Sequence, residues 1–369
     1  MFGKLISTAA ATLAAVAVAS PATPPTIDWK LDATALMMRG LNADQLTDGI
    51  MSAVLAGRFA SDTKASVPWP GELWPYSGQD TLTMGASAAI GTENFYNAIT
   101  STPGPVVSVG MSGSALVIDE VMLRLEAAGS PRSNELSFVV IGDANRGMFS
   151  GLRGVSLPIL DYTVPALPVT PYDVTVVAAE YDGYSDFPDR WWNLLADANA
   201  LAGTGLFPGF GSVHFDSGWY DLSTVPAANI SVSINAEGGK TTTYLIPTPD
   251  LPLLRPLSAM GVSQHDIDAL TAILRPLVDL GYSRNDPPSK GQLRPRAEQA
   301  SAPAGTSATA ATGPTAEDSA VPNARDSGSA NSARPKARKA ASRERAIRST
   351  PSTGHTRSAG TASSRRVAG

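Results

Sequence analysis

Gly110-Met111-Ser112-Gly113-Ser114 is the stretch of this 369-residue chain whose residue types and spacing bear most directly on chemistry. A serine with small residues two positions before and after it suits a sharp strand-to-helix turn that pushes a nucleophile out of the backbone. If a helix starts there, the N–H of Gly113 lies at its N-terminus, where unpaired donors and the helix dipole favour a developing oxyanion. A serine hydroxyl also needs a base, and the chain has only 3 histidines. His355 stands in a Ser/Ala/Arg-rich terminal region. His265, beside Asp266 and Asp268, reads as a solvated residue in the first turn of a last helix. His214 follows the glycine-rich Gly209-Phe210-Gly211-Ser212-Val213 and is the candidate base.

The acid is expected just past a strand, between Ser112 and His214, giving the chain order Ser…Asp…His of α/β-hydrolases. The segment Tyr181-Asp182-Gly183-Tyr184-Ser185-Asp186-Phe187-Pro188 offers two candidates. Asp186 follows a glycine-containing turn, precedes Pro188, and is preferred. Asp182 is nearer the strand end and is the alternative, with bracing of the loop as its other role. Asp143 is a third option, or simply part of a Gly142-Asp143 turn. A second oxyanion donor is expected from the loop after the first strand, near Gly40 or Leu41. Trp191, Trp192 and Trp219 flank the acid and the base and suit either an acyl-chain groove or core packing.

These residues require strands and helices to carry them. Val106 to Val109 is a buried-type strand bounded by Pro105 and Gly110. Ile118, Val121, Met122 and Leu125 then form one helix face, with Gly129 at the C-terminal cap position. Leu136 to Ile141 and Val174 to Ala179 read as further apolar strands, and Ala35 to Met38 as an earlier one. Helical spacing recurs from Asp44 to Leu55, Thr83 to Ile99 and Trp192 to Leu201. It returns after Ser263 at Ile267, Leu270, Ile273 and Leu274, and Pro276 interrupts that pattern. Ile230 to Ile234 and Thr241 to Ile246 read as a hairpin. Strands alternating with helices predict an α/β fold with a largely parallel sheet.

Composition sets the limits. From Asp286 to Gly369 there are 84 residues with 14 Lys and Arg, 6 Asp and Glu and no aromatic residue, a net charge of +8, which leaves −13 for residues 1–285. Such a tail lacks the apolar surface needed to offset the entropy of ordering, so it is expected to be disordered, with adhesion to an anionic envelope or wall surface as a further reading. The acidic body argues against nucleic-acid binding. Residues 1–22 have the layout of a secretory signal peptide, with Lys4, an apolar run from Leu5 to Ala19 and small residues at Ala17-Val18-Ala19. A short N-terminal anchor is the alternative. Export to the cell envelope or beyond is the expectation. With Cys 0, disulfides, thiol catalysis, a lipoprotein anchor and Cys-ligated metal are excluded.

Several segments resemble the PE-PPE domain of mycobacteria and related actinobacteria, a serine α/β-hydrolase domain similar to cutinases. They are Gly110 to Ala115, Gly142-Asp143-Ala144-Asn145-Arg146-Gly147, Tyr181 to Pro188, Asn193 to Leu201, the His214 loop, Tyr244-Leu245-Ile246-Pro247 and Leu251-Pro252-Leu253-Leu254. The resemblance spans most of residues 30–283 and is most specific from Tyr181 to Leu201. It implies a cutinase-like fold, a Ser-Asp-His triad and esterase or lipid acyltransferase chemistry, with no metal or other cofactor. The common Gly-Tyr-Ser-Gln-Ser form is Gly-Met-Ser-Gly-Ser here, and a signal-like segment stands where many members carry a PE or PPE helical module.

Three functions follow as expectations. The first is an exported esterase or lipase acting on acyl esters. The second uses the same triad to move fatty acyl groups between envelope glycolipids. The third is a non-catalytic lipid- or wall-binding module on the same fold.

Overall fold

The computed structural model describes residues 33–286. The expected signal segment and His355, and all of the basic tail but Asp286, lie outside the described residues. The sheet is built from β1 (Thr34–Met38), β2 (Thr63–Ser66), β3 (Val106–Met111), β4 (Leu136–Ile141), β7 (Asp173–Ala179), β8 (Ile230–Ile234) and β9 (Lys240–Ile246). Its strand order is β2-β1-β3-β4-β7-β9-β8. All neighbours pair parallel except β8, which runs antiparallel to β9. The small strands β5 (Ser156–Leu157) and β6 (Tyr162–Thr163) form a separate ribbon after β4. The expected α/β-hydrolase architecture with a largely parallel central sheet is therefore the one observed.

Near-continuous apolar strands follow from burial on both faces. Leu36, Met38, Val106, Phe138, Val140, Val174 and Val176 pack on one side, against α2 (Met84–Ser101) and α3 (Gly113–Ala127). The alternate residues Ala35, Met37, Val107, Val109, Val139, Ile141 and Val177 face the other side, where α1 (Asp48–Gly57) supplies Met51 and Val54. A third cluster joins Tyr181 to α4 (Leu194–Gly203) and α6 (Gln264–Asp279) through Ala196, Ile267 and Val278. The short α5 (Arg255–Ala259) precedes α6.

Local signals behave as their chemistry dictates. The Thr83 and Ser263 side chains cap α2 and α6, and Gly129 lies at φ +85 just past α3. Pro276 falls near the end of α6, as expected, and the helix continues to Asp279. Strand β2 was not foreseen, because Thr63-Lys64-Ala65-Ser66 is a polar edge strand that buries little and shows no apolar run.

Candidate active site

Ser112 occupies the single residue between β3 and α3, at φ 56, ψ −123. For a non-glycine residue this is strained backbone, and the surroundings hold it there. The Ser112 N–H donates to Ile141 O at 2.7 Å. Gly110 must be small, since a Cβ there would meet Ile118 Cγ1 and Ser114 O at 2.6 Å. Ser114 does more than stay small. Its buried hydroxyl accepts from the Met111 N–H and donates to Met38 O, both at 2.8 Å, and so ties the turn to the end of β1.

His214 and Asp182 complete the arrangement. Ser112 Oγ lies 2.8 Å from His214 Nε2, and His214 Nδ1 lies 2.7 Å from Asp182 Oδ2. With Asp182 ionised, the Nδ1–H donates to it, which leaves Nε2 as acceptor for the serine proton. His214 and Asp182 are both buried. The imidazole is also closely surrounded. The Tyr184 ring centroid is 4.7 Å away. Gly142, at φ +68, leaves no room on the ring: a Cβ there would come within 2.6 Å of His214 Cε1.

The preferred acid, Asp186, is not at this contact. Its carboxylate takes both ends of the Arg284 guanidinium, at 2.8 and 2.9 Å, and accepts the Tyr181 N–H at 2.9 Å. Its own N–H donates to Asp182 O at 2.8 Å. The roles expected of the two aspartates are therefore exchanged: Asp182 meets the imidazole, and Asp186 braces the turn. The brace is needed because Tyr181, next to Asp182, sits at φ +63. Burial pushes the Asp186 carboxyl up to about 6, against the pull of Arg284.

Asp143 does not reach His214 either. It and Asp119 share Arg146, with Asp119 Oδ1 at 3.0 Å from the guanidinium. The Asn145 Nδ2 donates to Asp119 Oδ2 at 2.8 Å, and Arg153 Nη2 donates to Asn145 O at 2.7 Å. Burial raises Asp119 to about 7, while Arg146 opposes the shift. This network fixes the loop that begins at Gly142, under the imidazole.

The oxyanion candidates come together. Gly113 is the first residue of α3, so its N–H has no partner within the helix. A Cβ on Gly40 would lie 3.3 Å from Ser112 Cβ, and one on Gly113 would lie 2.4 Å from Leu41 Cγ. The loop carrying Gly40 and Leu41 is anchored by Arg39, whose Nη2 donates to Pro70 O at 2.7 Å. Trp69 Nε1 returns a bond to Arg39 O at 2.9 Å. Trp191, Trp192 and Trp219 are exposed side chains, which removes the core-packing reading. His265 is exposed in the first turn of α6, as expected. Among the described residues no cluster of His, Asp and Glu could hold a metal ion.

Sequence reasoning missed Arg284, Arg146, Arg39 and Gly142 as parts of the site. The three arginines act through partners distant in the chain and leave no local pattern. Gly142 had a signal in its place just after a strand, but the face it presents depends on His214, 72 positions away.

A strained serine between strand and helix, an imidazole and a buried carboxylate in a chain of short contacts define a serine-hydrolase type of site on an α/β fold. The PE-PPE domain profile matches residues 60–283, and the chain belongs to that family. It is 37% identical over 230 residues to the SL1278 acyltransferase Chp1 of Mycobacterium tuberculosis, covering 62% of this chain and 56% of that protein. It is 36% identical over 230 residues to the diacyltrehalose acyltransferase Chp2 of the same organism, covering 59% and 62%. The esterase PE16, also from M. tuberculosis, is 32% identical over 240 residues, covering 61% and 44%. The chain thus spans less than two thirds of the length of each of these relatives. Among solved structures, a cutinase-like protein from Cryptococcus sp. matches with 18% identity and a TM-score of 0.28, covering 42% of this chain and 79% of that one.

Proposed function

We propose that this protein is an exported serine esterase that cleaves acyl esters through an acyl-enzyme on Ser112. The observation that carries the reading is the contact chain from Ser112 Oγ to His214 Nε2 and from His214 Nδ1 to Asp182 Oδ2, at 2.8 and 2.7 Å. In this mechanism His214 takes the serine proton as Oγ attacks the ester carbonyl. The Gly113 N–H and a donor from Gly40 or Leu41 receive the oxyanion. As the tetrahedral intermediate collapses, the C–O bond to the alcohol breaks and His214 returns the proton to that alcohol. Asp182 holds the imidazole tautomer and stabilises its cation. A second hydroxyl, activated by the same Nε2, then releases the acyl group. Export is supported by the signal-like composition of residues 1–22.

A second reading is favoured by a specific observation. Two of the relatives are acyltransferases, one of them named for diacyltrehalose, and both are more similar to this chain than the esterase relative is. In that reading a sugar hydroxyl of an envelope glycolipid replaces water as acceptor.

One experiment tests the shared step. Ser112→Ala should abolish fluorophosphonate labelling and hydrolysis of a short-chain ester. Persistent labelling or activity sinks the assignment, and an unlabelled wild-type protein points to the non-catalytic binding module. Product analysis with a simple ester, with and without an acyl-trehalose, then separates water from sugar as acceptor.

A further inference from the structure

The loop that leaves β1 toward Ser112 is held by an arginine whose guanidinium bonds only to backbone carbonyls. Arg39 Nη2 donates to Pro70 O at 2.7 Å and to Trp69 O at 3.3 Å, and Nη1 donates to Gly40 O at 3.3 Å. Its Nε is buried without an acceptor among the described residues. A cation left partly unsatisfied is poorly explained by stability alone. Gly71, at φ +62, makes room for it: a Cβ there would lie 2.7 Å from Nη1. The same segment grips the loop twice more. Trp69 Nε1 donates to Arg39 O and the Asn42 N–H donates to Gly71 O, both at 2.9 Å. Trp69 is itself buried in the core, so this segment is a firm template for the loop.

The clamp leaves the Leu41 N–H without an acceptor among the described residues. In a trans peptide the carbonyl and the following N–H point in opposite directions, and Gly40–Leu41 is trans. The Gly40 carbonyl is turned to the guanidinium, so the Leu41 N–H is turned away from it. The nucleophile is close by. A Cβ on Gly40 would stand 3.9 Å from Ser112 Oγ, and the Leu41 side chain lies over Gly113. Both peptides flanking Gly40 have their carbonyls held from outside, one by the Trp69 indole and one by Arg39. Only the Leu41 N–H belongs to the peptide held by a cation. A charge-assisted bond to a carbonyl polarises its amide and makes the N–H a stronger donor.

We propose that Arg39 is the positioning residue of the oxyanion site, orienting and polarising the Leu41 N–H so that it joins the Gly113 N–H. The proposal rests on Ser112 being the nucleophile. Arg39 touches no reacting atom; its charge acts through one hydrogen-bonded peptide. That charge is permanent, so the contribution is constant across the pH range in which His214 titrates.

The test uses the full chain with Arg39→Met and Arg39→Lys, hydrolysis of a short-chain ester, and fluorophosphonate titration to count active serines. Per titrated site, Arg39→Met should lower kcat roughly 10²-fold, the size expected for one oxyanion donor, with KM little changed and the pH profile unshifted. Arg39→Lys should recover part of the loss, since an ammonium can still meet one carbonyl. An alkylboronic acid, whose tetrahedral adduct on Ser112 places an oxygen in the same site, should bind more weakly by a similar factor. A merely structural role predicts fewer titratable serines, each turning over at full rate. Leu41→Pro deletes the N–H itself with Arg39 intact and should cost as much, which keeps the proposal testable if thermal unfolding shows that Arg39→Met does not fold. Unchanged kcat per titrated site in either folded variant, or a loss of kcat with wild-type boronate affinity, overturns the proposal and leaves the serine mechanism standing. A wild-type protein that takes up no fluorophosphonate removes both.

Discussion

Asp182 and Asp186 lie four residues apart in one turn, and the fold gives each a different cation to face. Asp182 meets the imidazole of His214, which becomes cationic only when it takes a proton. Asp186 meets the guanidinium of Arg284, which is always charged. A carboxylate beside a permanent cation is locked into its role, whereas one beside an imidazole sees its partner's charge appear and vanish. The same residue type thus serves as mechanism in one place and as scaffold four residues on. The difference comes from what distant parts of the chain present to each.

The largest effect that should separate the two is on turnover. Asp182→Asn should lower kcat by roughly 10³–10⁴-fold with a small change in KM, because the wrong tautomer is then held. Asp186→Asn, measured in parallel on a short ester, should cost far less, since its amide oxygen still accepts the Tyr181 N–H. Equal losses in the two variants would falsify the division of roles. Next in size is stability. Arg284→Ala leaves a buried carboxylate without its partner and should cost about 3–5 kcal/mol in denaturant unfolding at pH 8. That deficit should shrink at pH 5, where the orphaned Asp186 takes up a proton.

Gly142→Ala forces a methyl group toward His214 Cε1 and should reduce kcat by about 10²-fold, the scale expected for a misplaced catalytic group. Serine labelling should slow in step; an unchanged labelling rate would show that the ring yields without loss. The smallest effect is the pH dependence of Asp186 itself. Its carboxyl is raised to about 6 by burial, so its contribution to stability is full below the unfolded value near 4 and is lost as pH rises through 6. Asp186→Asn removes that term. Thermal unfolding from pH 4 to pH 7 should therefore show the variant gaining on wild type as pH rises, and parallel curves would contradict the assignment.

Much of this was legible in the sequence. The strands β3, β4 and β7, the helix α3 and the start of the last helix at Ser263 all follow from local periodicity and side-chain chemistry. Ser112 and His214 were singled out by turn chemistry and by elimination among three histidines. The choice between Asp182 and Asp186 was not recoverable that way. Both stand in the same turn, and what decides between them is Arg284, 98 positions from Asp186. The exposure of Trp191 and Trp192 was hidden for a similar reason, since tryptophan in a loop is compatible with a groove, a core or an outer face until its neighbours on α6 are known.

The confinement of His214 between Gly142 and Tyr184 has a kinetic consequence. A ring bonded through both nitrogens and crowded by these two residues is not free to flip and offer a different nitrogen or to swing to a second position. In the proposed mechanism the Nε2 that protonates the departing alcohol must also deprotonate whatever comes next, from the same side of the acyl carbon. Donor and acceptor alcohols therefore occupy one place in succession, so initial rates measured against both should give the parallel lines of a ping-pong scheme.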